Sequence, residues 1–184
     1  GFETRLTTDI YPADFGWTVN WDEPDERIDW WYHNLLSVKQ AGVAEITNQL
    51  EYDDDVGNLA IKNLYELARG RDDRPFAMTV SFTHPHDPYA TRQKYWDLYE
   101  DVAIKLPNVS AIDFADKDPQ SQRIHKACAM DDLDITDEDI LKARRAYYGN
   151  ITYIDEWVGK LVAVLEETGQ LDNTIIVLSS DHGD

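Results

Sequence analysis

The sequence has one cysteine and two methionines in 184 residues, and only 17 Lys and Arg against 36 Asp and Glu. A single thiol can build neither a disulfide framework nor a cysteine-based zinc site, so a reducing, cytoplasmic setting is expected. The formal net charge of −19 excludes a polybasic binder of nucleic acid or of an anionic membrane, because so acidic a surface repels phosphate. No apolar run approaches the about 18 residues of a spanning helix, and the opening GFETRLTTDI lacks the apolar stretch of a signal peptide. What is present is a hydrophobic fraction of 42%, too high for a disordered acidic chain and enough for one ordinary core. The first residue is Gly1, and the last stretch, TIIVLSSDHGD, is an apolar run stopped by charge. Both ends read as cut from something longer.

Residues 1 to 57 read as an aromatic-rich loop region. Trp17, Trp21, Trp30 and Trp31, with Tyr11 and Tyr32, stand among Pro12, Gly16 and Pro24, and neither a period of 2 nor one of 3.6 persists there. From Asn58 to Arg69, Leu59, Ile61, Leu64, Tyr65, Leu67 and Ala68 recur near helical spacing, and Gly70 is a natural stop. Phe76 to Phe82 (FAMTVSF) and Thr174 to Ser179 (TIIVLS) read as buried strands. A short helix is expected over 91–100, and the acidic, irregular stretch 101–135 holds one helical piece around 122–130. Thr136, with Asp139 at capping-box spacing, opens the strongest helix, which carries Ile140, Ala143, Tyr147, Ile151, Ile154, Val158, Leu161 and Leu165 toward a stop at Gly169. Its length leaves a kink near Gly149 open. Helices alternating with buried strands predict an α/β core over residues 58–184.

Two motifs follow these strands, where α/β sheets place their ligand sites. At the second strand's end Asp181 and His182 offer a carboxylate and an imidazole, half of a metal site, with Gly183 freeing the backbone to bend. Asp, His and Gly are also ordinary turn formers, and two donors cannot close a divalent shell, so further ligands would come from elsewhere. After the first strand comes THPHDPY. An extended chain would put His84 and His86 on one face, and the prolines would stiffen them there. Two imidazoles so placed suit hydrogen bonding to an anion, or proton transfer to a leaving oxygen near neutral pH. The tryptophans near the start pack a loop or, in a sharper reading, box a quaternary ammonium beside Asp9, Asp14 or Asp22. Cys128 in HKACAMDD reads as an inert thiol, and the runs Asp53 to Asp55 and Asp131 to Asp139 read as solvated faces and caps.

In order along the chain, SFTHPHDPY followed by ARRAYYGNITYIDEWVGKLVAVLEETGQLDNTIIVLSSDHGD resembles the type I sulfatases of the alkaline phosphatase superfamily. GFETRLTTDIYPADFGWTVNW together with THPHDPY is most similar to the bacterial choline-sulfatases. The resemblance implies an alkaline-phosphatase-like core sheet flanked by helices, incomplete in this chain, and hydrolysis of choline-O-sulfate to choline and sulfate. It implies a divalent ion held in part by Asp181 and His182, calcium as a rule with manganese or magnesium open. It also implies a sulfate-contacting, leaving-group-assisting role for His86 in His86-Asp87-Pro88, a place beside the sulfate pocket for His84, and Trp17 on the trimethylammonium head. The nucleophile of the family, a formylglycine made from Cys, has no counterpart, since Cys128 is followed by Ala-Met-Asp-Asp. The family's N-terminal acidic pair and the basic residues after its second metal strand are missing as well. The chain is therefore expected to be the middle of a single catalytic domain and to be inactive alone. The substrate would be a small sulfate ester, with no nucleic-acid or membrane partner and a homo-oligomer left open for the longer protein. A phosphonate or phosphodiester hydrolase of the same superfamily, and a non-catalytic module binding metal or quaternary ammonium, are the rival readings.

Overall fold

The computed structural model describes residues 3–10, 22 and 35–182. In chain order these form α1 (Leu36–Lys39), β1 (Gly42–Val43), α2 (Asn48–Arg69), β2 (Ala90–Thr91), α3 (Gln93–Asp97), α4 (Pro119–Ala127) and α5 (Asp137–Glu167), with 3₁₀ turns at Phe114–Asp116 and Leu171–Asn173. β1 and β2 pair in parallel, Gly42 opposite Ala90 and Val43 opposite Thr91. Helices laid on a parallel pair make the α/β arrangement expected. Among the described residues no helix is long and apolar enough to cross a membrane.

The longest helix begins as its sequence dictates. Thr136 Oγ1 accepts from the Asp139 backbone N–H while Asp139 accepts from that of Thr136, a capping box. Lys39 Nζ stands 2.7 Å from the same Asp139 carboxylate and ties α1 to the start of α5. The helix runs 31 residues, and Gly169 takes the left-handed φ of +68° that ends a helix at low steric cost. It passes Gly149 without interruption. That glycine serves a close approach instead: a Cβ there would lie 2.9 Å from the Thr91 side chain. Ala143 and Leu165 are buried as expected, but the middle of the stripe is turned: Ala146, Gly149, Asn150, Tyr153 and Trp157 are buried and Ile151 is exposed. The cause is that Tyr153 and Trp157 each bury more apolar area than the isoleucines beside them.

α2 starts ten residues before the expected Asn58, because Thr47 caps it by accepting from the Leu50 N–H at 3.1 Å. Its inward face is Leu50, Asp53, Val56, Gly57, Ala60 and Leu64. A carboxylate in the middle of that stripe hides the helical period from a hydropathy reading. α2 packs on α5 with Gly57 against the Trp157 indole, where an added Cβ would meet ring carbons at 2.4–2.6 Å. Leu50, Tyr95, Tyr153 and Trp157 form one core cluster with Ile61, Phe82 and Ile154 against it. Leu64, Val164 and Leu165 form a second, covered by Met78, Leu161 and Leu171 among others.

The two expected strands behave differently from expectation and from each other. Residues 76–82 are extended but form no ladder among the described residues. Met78, Val80 and Phe82 are turned toward the core while Ala77, Thr79 and Ser81 are exposed, so the segment is covered on one face by α2 and α5 rather than on both. Residues 175–179 form no ladder among the described residues and are bare, Ile175 being 92% and Leu178 82% exposed. A strand is stabilised by its neighbours, and no described residues lie alongside either segment to hydrogen-bond it.

Candidate functional site

The inward phase of Met78, Val80 and Phe82 carries on to His84, which it delivers beneath α5, and there the chain turns. The His86 N–H donates to the Thr83 carbonyl at 3.1 Å, so the alternation of faces stops. His84 and His86 consequently do not share a face, contrary to the extended-chain expectation. The His84 side chain is 1% exposed and the His86 side chain 54%.

Asp53 of α2 explains why His84 is buried. Its Oδ1 accepts from the Thr83 N–H at 2.8 Å and the Thr83 hydroxyl at 3.1 Å. Its Oδ2 accepts from the His84 N–H at 3.0 Å and from His84 Nδ1 at 2.6 Å. Asp53 is 0% exposed, so the reading of residues 53 to 55 as a solvated acidic face fails at this position: helical spacing points it inward with Leu50 and Val56. With three further donors on the carboxylate, Nδ1 carries the proton of the fourth bond. The His84 ring meets the Tyr153 ring edge-on, 5.4 Å between centroids.

Asp54, the next residue, holds the other flank. Arg92, just after β2, pairs its guanidinium with the Asp54 carboxylate, and the Tyr153 hydroxyl donates to Asp54 Oδ1 at 2.8 Å. Burial pushes the Asp54 carboxyl up, but the Arg92 and Tyr153 hydrogen bonds and the Arg92 charge outweigh it and hold the group below its ordinary value. Burial, with the hydrogen bond to Asp54, pushes the Tyr153 hydroxyl well above its ordinary value, so it stays a donor. Two successive carboxylates of one helix thus grip residues 83–84 and residue 92. Between them the Tyr89 carbonyl accepts from Gly42 N–H at 3.0 Å, and the Thr91 carbonyl accepts from Ala44 N–H at 2.9 Å.

On this framework His86 stands outward. Its Nδ1 lies 2.7 Å from the Asp87 carbonyl and 2.9 Å from Asp87 Oδ1. Nδ1 donating there directs any proton exchange with a ligand to Nε2. Asp181 and His182 lie past the bare extended segment, their side chains 92% and 65% exposed, and Asp181 Oδ1 accepts from the His182 N–H at 3.0 Å. Carboxylate and imidazole are apt donors for a divalent ion, but two do not close a shell. Among the described residues no group of three or more His, Cys, Asp or Glu could hold one. Trp17 lies outside the described residues, as do Trp21, Trp30, Trp31 and Tyr32. Asp9, one carboxylate considered for a cation, pairs with Arg5 at 2.5 Å. Cys128 is half-buried at the end of α4. An open cavity of about 700 Å³ bounded by Tyr99, Leu106, Val109, Arg144 and Tyr148 is lined by none of these residues.

The sulfatase family profile matches residues 7–184. The chain belongs to the sulfatase family. It is 59% identical over its whole length to a choline-sulfatase of Rhizobium meliloti (strain 1021), spanning 36% of that protein. It is 34% identical to an arylsulfatase of Clostridium perfringens (strain 13 / Type A) over 69% of this chain and 26% of the relative. It is 26% identical to a multifunctional alkaline phosphatase superfamily protein of Trinickia caryophylli over 92% of this chain and 35% of the relative. The chain thus spans between about a quarter and just over a third of the length of these relatives.

Sequence reasoning missed Asp53, Asp54 and Arg92. For Asp53 a signal existed: it falls in phase with Leu50, Val56, Ala60 and Leu64, and a helical period begun at Thr47 would have exposed a carboxylate on the core stripe. Nothing in the sequence pointed from Asp54 to Arg92.

Proposed function

We propose that the protein to which this chain belongs is a sulfuric ester hydrolase acting on choline-O-sulfate. The observation that carries the reading is the clamped turn with His86 on its outer face, in a chain 59% identical throughout to a choline-sulfatase. His86 Nε2, with Nδ1 engaged by Asp87, would hydrogen-bond a sulfuryl oxygen and give a proton to the departing choline oxygen, a role typically worth about 10²–10⁴-fold in rate. Asp181 and His182 would hold part of a divalent ion's shell, calcium first among the candidates. When bound, such an ion stabilises negative charge on sulfuryl oxygens. Trp17 would offer its ring face to the trimethylammonium head. No residue of this chain serves as nucleophile, and a formylglycine supplied by the remainder of the protein completes the reading. A single cysteine suits a reducing compartment such as the cytoplasm.

The test is sulfate release from choline-O-sulfate by the full-length protein, beside a phosphodiester substrate. Sulfate release from the wild type, reduced about 10²–10⁴-fold by His86→Ala, is the expected result. Preferential cleavage of the phosphodiester would favour a phosphoester hydrolase, a reading that the Trinickia relative's superfamily name keeps in view. Near-normal turnover by His86→Ala would remove that residue from the mechanism.

A further inference from the structure

The geometry points to Asp53 as a positioning residue of the sulfuryl-transfer site, acting through His84 and the 83–92 turn to set where His86 stands; this rests on the reading of His86 above. Three observations bear on it. First, Asp53 is a fully buried carboxylate at a position where α2 otherwise carries apolar side chains, Leu50, Val56, Ala60 and Leu64. Burying a charge is costly unless it is well satisfied, and here each oxygen accepts two hydrogen bonds, all four from Thr83 and His84. Every donor belongs to the entrance of the turn that carries His86.

Second, the buried His84 ring, edge-on to Tyr153, carries a polar atom that packing does not satisfy. Its Nε2 is buried with no hydrogen-bond partner among the described residues, and an unsatisfied buried polar atom calls for an explanation. With the Nδ1 proton given to Asp53, the carboxylate fixes the tautomer and ring orientation. This is the support a carboxylate gives a working histidine from behind. Third, the exit of the turn is held independently, by Arg92 on Asp54. The turn is therefore pinned at both ends to one helix, and loosening the Asp53 end alone would let it move about the other. A misplacement of about 1 Å in a group that must meet a reacting atom can cost about 10²-fold in rate.

The experiment uses the full-length protein with choline-O-sulfate and the variants Asp53→Asn, Asp53→Ala and Asp53→Glu, each with a thermal melt. Asp53→Asn keeps the size of the side chain and removes the charge that holds the imidazole. It is expected to lower kcat about 10–100-fold with little change in KM. In protein with ¹⁵N-labelled histidine, the downfield proton resonance of His84 Nδ1 should disappear. Asp53→Glu, with its carboxylate one methylene further out, should recover part of kcat. If Asp53→Ala fails to fold, Asp53→Asn still decides. A folded Asp53→Asn protein with wild-type kcat overturns the proposal while leaving the sulfatase reading intact. A lower melting temperature with unchanged kcat per folded molecule reduces Asp53 to a structural role and overturns it equally. A wild-type protein that releases no sulfate from the ester fails the functional reading itself, and the proposal with it.

Discussion

Two stretches of this chain are built alike in sequence: an apolar run of strand formers followed at once by residues fit for chemistry. FAMTVSF leads to His84 and His86, and TIIVLS leads to Asp181 and His182. In the structure the first is seated on α2 and α5 through Met78 and Phe82, and its turn is pinned by Asp53 and Asp54. The second lies open, with Ile175 and Leu178 exposed, and Asp181 Oδ1 accepts from the His182 N–H. The difference teaches that an apolar run states a need for burial without saying what meets it. Preorganisation came from polar groups on a distant helix, not from the run itself.

The comparison can be broken or sharpened in several ways. If Asp181 is a metal ligand in the full-length protein, Asp181→Ala should weaken divalent-ion affinity by more than the about 10–100-fold of an outer-shell partner, read by titrating activity with calcium. His86→Ala should leave that affinity unchanged. If both substitutions alter affinity equally, the two stretches are not separate in role. On the packed side, Trp157→Ala should cost about 3–5 kcal/mol by leaving a cavity between α2 and α5, measured by urea unfolding. Gly57→Ala drives a methyl into the Trp157 ring and should cost about 1–3 kcal/mol. A neutral result at Gly57 would mean that the helix pair is looser than described.

Acid should act on the packed side as well. Hydrogen bonds from Lys94 and Lys160 hold the Glu156 carboxyl down at about 2 against an ordinary 4.5, and Asp54 is also held low. A depressed carboxylate contributes stability above its unfolded value and loses it as pH falls toward the folded one. The melting temperature should therefore be flat down to about pH 4.5 and drop between there and about pH 2. Stability rising through that window would contradict these pairings. The smallest effect belongs to the open stretch: Val177→Thr, at a residue 81% exposed, should change the stability of the 184-residue chain by no more than about 0.5 kcal/mol. It should also improve solubility, since an uncovered apolar strand invites association. A large loss of stability would show that the segment is covered.

The helix of residues 137–167 was legible because its signals are local. A threonine and an aspartate three residues apart close a capping box, and a glycine supplies the terminating left-handed turn. The candidate residues His84, His86, Asp181 and His182 were legible as types at the ends of apolar runs. Their relation was not. Period-2 reasoning paired the two histidines on one face, and a backbone hydrogen bond from His86 to Thr83 turned them apart. The early half of α2 was illegible because Asp53 interrupts its apolar stripe, and that interruption is the feature on which the turn depends.

The sequence by itself determined the family, the helices with their caps, and the presence of imidazoles and carboxylates beside apolar runs, since each depends on neighbours along the chain. Only the tertiary structure decided which histidine is buried and which faces out. It alone assigned Asp53 to the first and Arg92 to Asp54. These are contacts between residues about thirty to forty positions apart, and their geometry follows from how α2, α5 and the turn pack together.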